Sequence, residues 1–452
     1  MAQESTRSEH DLLGEVAVPA DARYGAQTQR AVMNFPLNGQ RCIGDFPTLV
    51  RGLLRVKQAG ATANLKAGLL RKEIAEAIVR SAEGLLAETD YRETFPIHFL
   101  HGGGGTSANM NANEVLANLA EERLGGRRGE YRRVHPNDHV NLNQSTNDVI
   151  PTACHIAVIE AWPTLKGALE ELADELAQKS EELGPQERIA RTCLQDAVAT
   201  TFGDLWGGYA GFVNRSVRQI GRAVEELHAV NLGGTIVGRS DDVPAGYFEG
   251  IIAALRGATG DERYHRSEDL YDAAQNLDDL VRVSSELDLA ARGLVKIGQD
   301  LRLMNSGPET GLGEIALPAM QPGSSIMPGK VNPVMPEHAM QLCFRAMGLH
   351  ASAQATLDHG ELDLNVWEST AVFAVLESME LLSSAAGALG AKCIRGLRVD
   401  AERNQRNAQS LIARVTELAK QHGYSRVNAV CKQARGDLTK LRELLSEAFP
   451  EG

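Results

Sequence analysis

The chain has no CxxC pair, no HExxH sequence, no run of eighteen apolar residues and no excess of positive charge. Its six cysteines (Cys42, Cys154, Cys193, Cys343, Cys393 and Cys431) are scattered, and free thiols in a reducing cytoplasm are expected. The histidines are dispersed, so no metal site is expected. Without a long apolar run no transmembrane helix is expected. The opening MAQESTRSEHDLLGE is polar and acidic, unlike a secretory leader. Asp and Glu number 59 against 46 Lys and Arg, a net charge of −13. That argues against a general nucleic-acid binder. It leaves room for an anionic substrate at a locally positive site.

What is present is a long chain rich in Ala and Leu. At 452 residues it is long enough for two or three domains. The first 144 residues mix short segments with Gly and Pro punctuation. VPADARYG and FPLNGQRCIGDFP read as loops, and EIAEAIVRSAEGLLAE and NANEVLANLAEERL as helices. From Ser145 the character changes. Leu280, Leu287, Leu294 and Leu301 recur every seven residues, with Val283, Ala290, Ile297 and Met304 as a second row. That is an a/d heptad seam over four repeats. It fits a helix buried within one subunit or a bundle shared between subunits, and periodicity does not choose. Comparable helices are expected near 204–230, 337–358 and 366–390, which together imply a bundle. The reading is a mostly α chain: a mixed, mainly helical domain over 1–144, a long-helix domain over 145–395, and a small helical domain over 396–452.

Four segments are more polar than a plain helical protein requires. HGGGGTSANMNANE (101–114) places Thr106 after four glycines, which let backbone N–H groups approach a ligand. A phosphate loop would need Gly-Lys-Ser/Thr there, and none follows. HPNDHVNLNQSTNDVIPT (135–152) gathers Ser145, Thr146 and Asn147 before a helix. One N-cap needs one such residue, and the cluster exceeds that need. RTCLQDAVATTFGD (191–204) and QPGSSIMPGKVNPVMPE (321–337) complete the set, the last holding Ser324, Ser325, Lys330 and Asn332 within nine residues. A serine hydrolase is poorly supported, because the GxSxG elbow is absent. Proton abstraction beside a carboxylate suits these parts better. The carbanion needs many preorganised donors around one carboxylate and a cation for the other. A serine base needs activation by nearby positive charge or N–H dipoles, which Lys330 and a Gly-rich loop could provide.

GSSIMPGKVNPVMPE closely resembles the signature loop of the aspartase/fumarase superfamily. GGGGTSANMNANEVLANLA, HPNDHVNLNQSTNDVIPTACHIA and DLLGEVAVPADARYGAQTQRAVMNF resemble its other blocks, in family order over residues 8–395. The resemblance implies a mostly α, three-domain fold around a long central helical bundle. It implies a homotetramer with active sites shared by three subunits, which favours the intersubunit reading of the heptad seam. It implies reversible anti-elimination from a dicarboxylate, a substituted succinate, to fumarate, without a cofactor. By the same resemblance Ser324 matches the catalytic base on a mobile loop. Ser325, Thr106, Ser145 and Thr146 match the hydroxyls around the carboxylate beside the acidic carbon. Lys330, Asn332 and Thr192 match the groups for the other carboxylate, and Asn147 a contact to the leaving group. GTSANMNANEVLAN, EHDLLGE and GKVNPVMPE look like the aspartase form, whereas HPNDHVN and YGAQTQRAV suit class II fumarases equally. The resemblance therefore leans to C–N cleavage, with fumarate hydratase as the alternative.

The chain departs from the pattern at RTCLQD, where the family has RTHLQD or RTQLQD. Cys193 is smaller and nearly apolar when neutral, which would enlarge the pocket for a bulkier leaving group. Glu337, which pairs with that His in the fumarase pattern, is expected to lack its partner. Arg239 and Ser240 stand where the family has Thr-Gly; an added guanidinium near the site would favour a further anionic group, and a surface arginine is the equal alternative. The C-terminal domain lacks the usual NPxxGY. A retired enzyme kept as a scaffold is a third reading, against which the retained hydroxyls count.

Overall fold

The computed structural model describes residues 5–450, so the polar opening is followed from Ser5 onward. In chain order the elements are β1 (Thr6–Asp11), β2 (Gly14–Pro19), α1 (Ala26–Asn34), α2 (Pro47–Lys66), α3 (Lys72–Leu86), α4 (Thr106–Arg123) and α5 (Thr146–Glu182). β3 (Glu187–Thr192), β4 (Gln195–Thr201), α6 (Phe202–Glu226), β5 (Ala229–Val230), α7 (Ala245–Thr259), β6 (His265–Arg266), α8 (Leu270–Gln275) and α9 (Asp278–Met304) follow. Then come β7 (Ile315–Ala316), α10 (Val334–Ala355), α11 (Glu368–Leu389), β8 (Arg398–Val399), α12 (Ala401–Ala408), α13 (Leu411–His422), α14 (Tyr424–Ala434) and α15 (Leu438–Ala448). The expected helices are all present within a few residues. The sequence reading missed the strands, which form only two-stranded sheets among the described residues.

The chain divides into two compact units. The first takes residues up to Lys166, Arg218–Leu289 and Arg345–Leu381. Here α2 packs against α3 and α7, and α4 against α1 and α3. Pro47 starts α2, where its missing N–H costs nothing. The Glu114 carboxylate of α4 accepts from the N–H groups of Gly25, Gln27 and Thr28 at 2.8–3.1 Å and so holds the start of α1.

The second unit takes Gly167–Val217, Ala290–Phe344 and the chain from Leu382. Here α12 packs on β3, α13 on β4, and α14 on α15. Leu411, Leu418, Val427, Leu441, Leu445 and Phe449 close a small core of the C-terminal helices.

The eight residues of the α9 seam are at most 4% exposed in the single chain. The seam is therefore filled within one subunit, and the expectation that it waits for other subunits is corrected. One helical stretch, Glu368–Ile394, is long and apolar enough to cross a membrane, but 67% of its most apolar window is buried inside the protein, as in a core helix. All six cysteines are free.

Candidate active site

In the first unit, Gly103, Gly104 and Gly105 all adopt positive φ and deliver the chain to Thr106, the first residue of α4. Gly105 is dictated twice over. Its φ is 80°, and a Cβ there would stand 2.7 Å from Ile150 Cγ1. Thr106 itself is exposed.

Ser145 caps α5. Its Oγ accepts from Asn147 N–H at 3.2 Å, and its own N–H donates to Asp148 Oδ1 at 3.0 Å. The N-cap reading is thus realised by one residue, and Thr146 and Asn147 are committed elsewhere. Thr146 Oγ1 accepts from Asn109 Nδ2 at 3.0 Å. Asn147 Nδ2 donates to Ile236 O at 2.8 Å, and Asn147 O accepts from Asn231 Nδ2 at 3.0 Å.

Beneath this turn lies a buried polar cluster. Lys57 of α2 is fully buried and donates to Asn141 Oδ1 at 2.8 Å and Gln144 Oε1 at 3.1 Å. Asn109 and Asn113, one helical turn apart on α4, both donate to the same Asn141 oxygen at 3.2 Å. Asp148, also fully buried, accepts from Gly233 N–H at 2.9 Å and Thr235 N–H at 3.3 Å. Burial pushes the Lys57 ammonium down to about 7 and the Asp148 carboxyl up to about 6, the attraction between them working against each shift.

In the second unit, β3 and β4 form a hairpin with Thr192 opposite Gln195. Cys193 and Leu194 are the two turn residues, with φ of 52° and 62°. A two-residue hairpin turn favours Asn or Gly at such positions. Two bulkier residues held there, both exposed, store strain at the position where the sequence departs from the RTHLQD or RTQLQD pattern. The hairpin is anchored by Arg191, whose Nη1 lies 2.6 Å from Glu314 Oε1. Glu314 is fully buried, and its backbone O accepts from Asn404 Nδ2 at 2.8 Å and Asp400 N–H at 3.1 Å.

The 321–333 loop is pinned at its neck. Gly323 N–H donates to Lys330 O at 2.7 Å, and Asn332 Nδ2 donates to Gly323 O at 3.0 Å. A Cβ on Gly323 would meet Asn332 N and Lys330 O at 2.8 Å, so only glycine fits the neck. Within the loop, Ser324 Oγ accepts from Ile326 N–H at 3.2 Å and Met327 N–H at 3.0 Å. Ser325 and Lys330 are exposed.

Glu337 is not without a partner. Its Oε1 lies 3.5 Å from Arg302 Nη2, so a cation from α9 serves as its partner. Arg239 pairs with Asp241 at 2.5–3.0 Å on the surface, which is the surface-arginine alternative rather than a cation held free for a further anion.

The candidate residues thus form two sets. Thr106 and Ser145–Asn147 lie in the first unit; Thr192, Cys193, Ser324, Ser325, Lys330, Asn332 and Glu337 lie in the second. Sequence reasoning missed the residues that hold them: Lys57, Asn109, Asn141 and Asp148 in one unit, Arg191, Arg302 and Glu314 in the other. A charged residue on the apolar face of α2 was a readable signal for Lys57, as was the i, i+4 pair Asn109 and Asn113. Among the described residues no group of three or more His, Cys, Asp or Glu is gathered so as to hold a metal ion.

A family model described as Lyase matches residues 14–348. Aspartate ammonia-lyase of Pseudomonas aeruginosa is 40% identical over 451 residues, covering 98% of this chain and 94% of that protein. Fumarate hydratase class II of Ralstonia nicotianae is 39% identical over 440 residues, covering 97% and 94%. The crystal structure of a class II fumarase from Schistosoma mansoni superposes with a TM-score of 0.93 at 31% identity, covering 98% of this chain and 95% of that one.

Proposed function

Because this chain belongs to the aspartase/fumarase superfamily of lyases, we propose that it catalyses reversible anti-elimination from a substituted succinate to give fumarate, cleaving the C–N bond of L-aspartate or an N-substituted analogue. The carrying observation is the environment of Ser324. Two backbone N–H groups donate to its Oγ. Donors on an oxygen favour its ionised form, which is what a serine needs in order to take a weakly acidic C–H proton.

In this reading Ser324 removes the proton from the carbon beside one carboxylate. Thr106, Ser145, Thr146 and Ser325 hold that carboxylate as negative charge builds on it. Thr192, Lys330 and Asn332 hold the other carboxylate. One Nδ2 hydrogen of Asn332 is already spent on the loop neck, so it contributes its second. The C–N bond then breaks and the amine leaves with the electron pair. Glu337 and Arg302 support the loop from α10 and α9.

Asn147 bears on the leaving group. Ile236 O is an acceptor only, so it fixes the Nδ2 end of the Asn147 amide. The remaining Oδ1 is an acceptor, which suits an ammonium group that has only donors. A protonated amine also departs as a neutral molecule without a general acid, whereas hydroxide requires one. Cys193, small and nearly apolar, leaves room for a substituent on nitrogen.

Hydration of fumarate is the second reading, favoured by the 39% identity to a fumarate hydratase. We further infer a cytoplasmic homotetramer that works without a cofactor, each active site completed by three subunits. The resemblance of the polar segments to the superfamily's blocks supports that assembly.

The test follows fumarate formation by its ultraviolet absorbance with L-aspartate, L-malate and a panel of N-substituted aspartates. Turnover is expected with aspartate or a panel member and not with malate. Malate as the lone substrate would defeat the C–N reading. Cys193→His is expected to shift preference toward the smaller leaving groups; an unchanged ranking would remove Cys193 from the specificity argument.

A further inference from the structure

One turn in the first unit is built inside out. From Asn231 to Thr235 every residue is buried, and Ile236, next in line, is 60% exposed. The hydroxyl residue goes in and the aliphatic one comes out. A single exposed isoleucine is ordinary by itself. This one is held beside Asn147, the residue assigned to the leaving group.

The backbone of the turn is fixed from several sides. The N–H groups of Gly233 and Thr235 donate to the buried Asp148 carboxylate at 2.9 and 3.3 Å. Arg239 N–H donates to Gly234 O at 2.8 Å. Gly238 backs onto the start of α8, where a Cβ would strike Leu270 O and Tyr271 N. Thr235 has φ of 53°, in the left-handed region that a β-branched residue adopts only under constraint. Rearranging the turn to bury Ile236 would break these contacts.

The place of Ile236 is set by one bond. Asn147 Nδ2 donates to Ile236 O at 2.8 Å. Covalent geometry keeps a Cβ about 3 Å from its own carbonyl oxygen, so Ile236 Cβ lies within roughly 7 Å of the Asn147 amide. An ammonium accepted by Asn147 Oδ1 carries its substituent into that range. The nearby guanidinium is matched, Arg239 pairing with Asp241. Tyr271, beside Gly238, is 39% exposed with its OH committed to Asp363, so it adds ring surface and no free hydroxyl. What the turn offers a substituent is apolar contact.

We infer that Ile236 is a specificity-determining residue that recognises an apolar group on the substrate's nitrogen. The substrate class is then an N-alkyl or N-arylalkyl aspartate. Its elimination passes the C3 proton to Ser324 and releases a primary amine with the electron pair of the broken C–N bond. The inference rests on the reading of Asn147 as the leaving-group contact. Room alone, as at Cys193, tolerates a substituent without favouring it. An apolar wall gains affinity with each methylene it covers, about 3-fold apiece.

The test is calorimetric titration of the full chain carrying Ser324→Ala, which binds without consuming its ligand. The ligands are L-aspartate and its N-methyl, N-propyl, N-butyl and N-(2-hydroxyethyl) derivatives. Affinity is expected to rise with chain length, N-butyl binding about 10-fold or more tighter than aspartate, and N-propyl tighter than N-(2-hydroxyethyl), which matches it in length. Adding Ile236→Ala, or Ile236→Thr, which keeps the β-branch, is expected to bring the N-butyl to aspartate ratio within about 3-fold. Both variants keep the backbone oxygen that Asn147 uses, and a thermal melt checks that they fold. No rise with chain length, equal binding of the propyl and hydroxyethyl compounds, or an unchanged ratio in both variants would overturn the inference. Fumarate formation by the chain with Ser324 in place is measured separately on the same compounds. Fumarate without an apolar preference defeats the role of Ile236 and leaves the elimination reading standing. An Ile236-dependent preference in binding without fumarate from any compound does the reverse.

Discussion

Ser324→Ala is expected to lower kcat by about 100- to 10,000-fold, the range that a positioned general base supplies. The fold should survive. The lost hydroxyl accepts only from two N–H groups of its own loop, and Ile326 and Met327 are exposed enough to bond water instead. About 1 kcal/mol of stability is at stake. The chemical step should suffer more than substrate binding, because Ser324 holds no carboxylate in the proposed scheme. Ser325→Ala provides the contrast: it removes a carboxylate contact, so KM should rise with the loss in kcat. Steady-state kinetics and a thermal melt on both variants check the pattern. Activity persisting in Ser324→Ala would reject it as the base.

Lys57→Met is expected to cost about 2–4 kcal/mol of stability and to reduce turnover, although Lys57 is a positioning residue. The substitution is close to volume-conserving, so the loss comes from hydrogen bonds. Gln144 Oε1 loses its donor inside the protein, and Asn141 Oδ1 keeps only Asn109 and Asn113. An orphaned buried acceptor costs about 1–3 kcal/mol, and Asp148 loses its compensating charge as well. Because Asn109 bridges Asn141 and Thr146, movement of Asn141 displaces a proposed substrate hydroxyl.

The pH dependence separates this role from simple packing. Lys57 titrates at about 7 in the fold, against about 10.4 in an unfolded chain. Between those values the unfolded chain holds the extra proton, so wild-type stability rises with pH there. Asp148 titrates at about 6, against about 3.9 unfolded, so stability falls as pH rises through that lower window. The pair is least favourable between its two folded values. Urea unfolding at pH 6, 7 and 9 should show the alkaline rise in wild type and a flattened limb in Lys57→Met.

The helices were legible because their apolar periodicity is strong. The α9 heptads read as a seam, and every seam residue is buried. What the periodicity could not tell was which surface fills the seam, since a core helix and an interface helix obey the same spacing. The β3–β4 hairpin was not legible. Its turn is Cys193-Leu194, without the Asn or Gly that announces such turns, and its anchor Glu314 lies more than a hundred positions away. The polar segments pointed to Ser324, Thr106 and Ser145–Asn147 as candidates because clustered hydroxyls are unusual in a helical chain. Arg302 stayed hidden, as a single charged residue inside a helix looks like a solvated position until its packing is known, whereas Lys57 left a signal on the apolar face of α2 that the sequence reading passed over. The lack of a His at position 193 was readable from the sequence; that Glu337 lies beside Arg302 depends on helix packing that sequence does not spell out.

The most direct measurement of the central claim is amination of fumarate in D2O, read by proton NMR of the aspartate formed. Proton transfer by one base on one face predicts a single deuterium at one of the two C3 positions, anti to the nitrogen, and no product from Ser324→Ala. Deuterium spread equally over both C3 positions, or the same labelled product from Ser324→Ala, would contradict it.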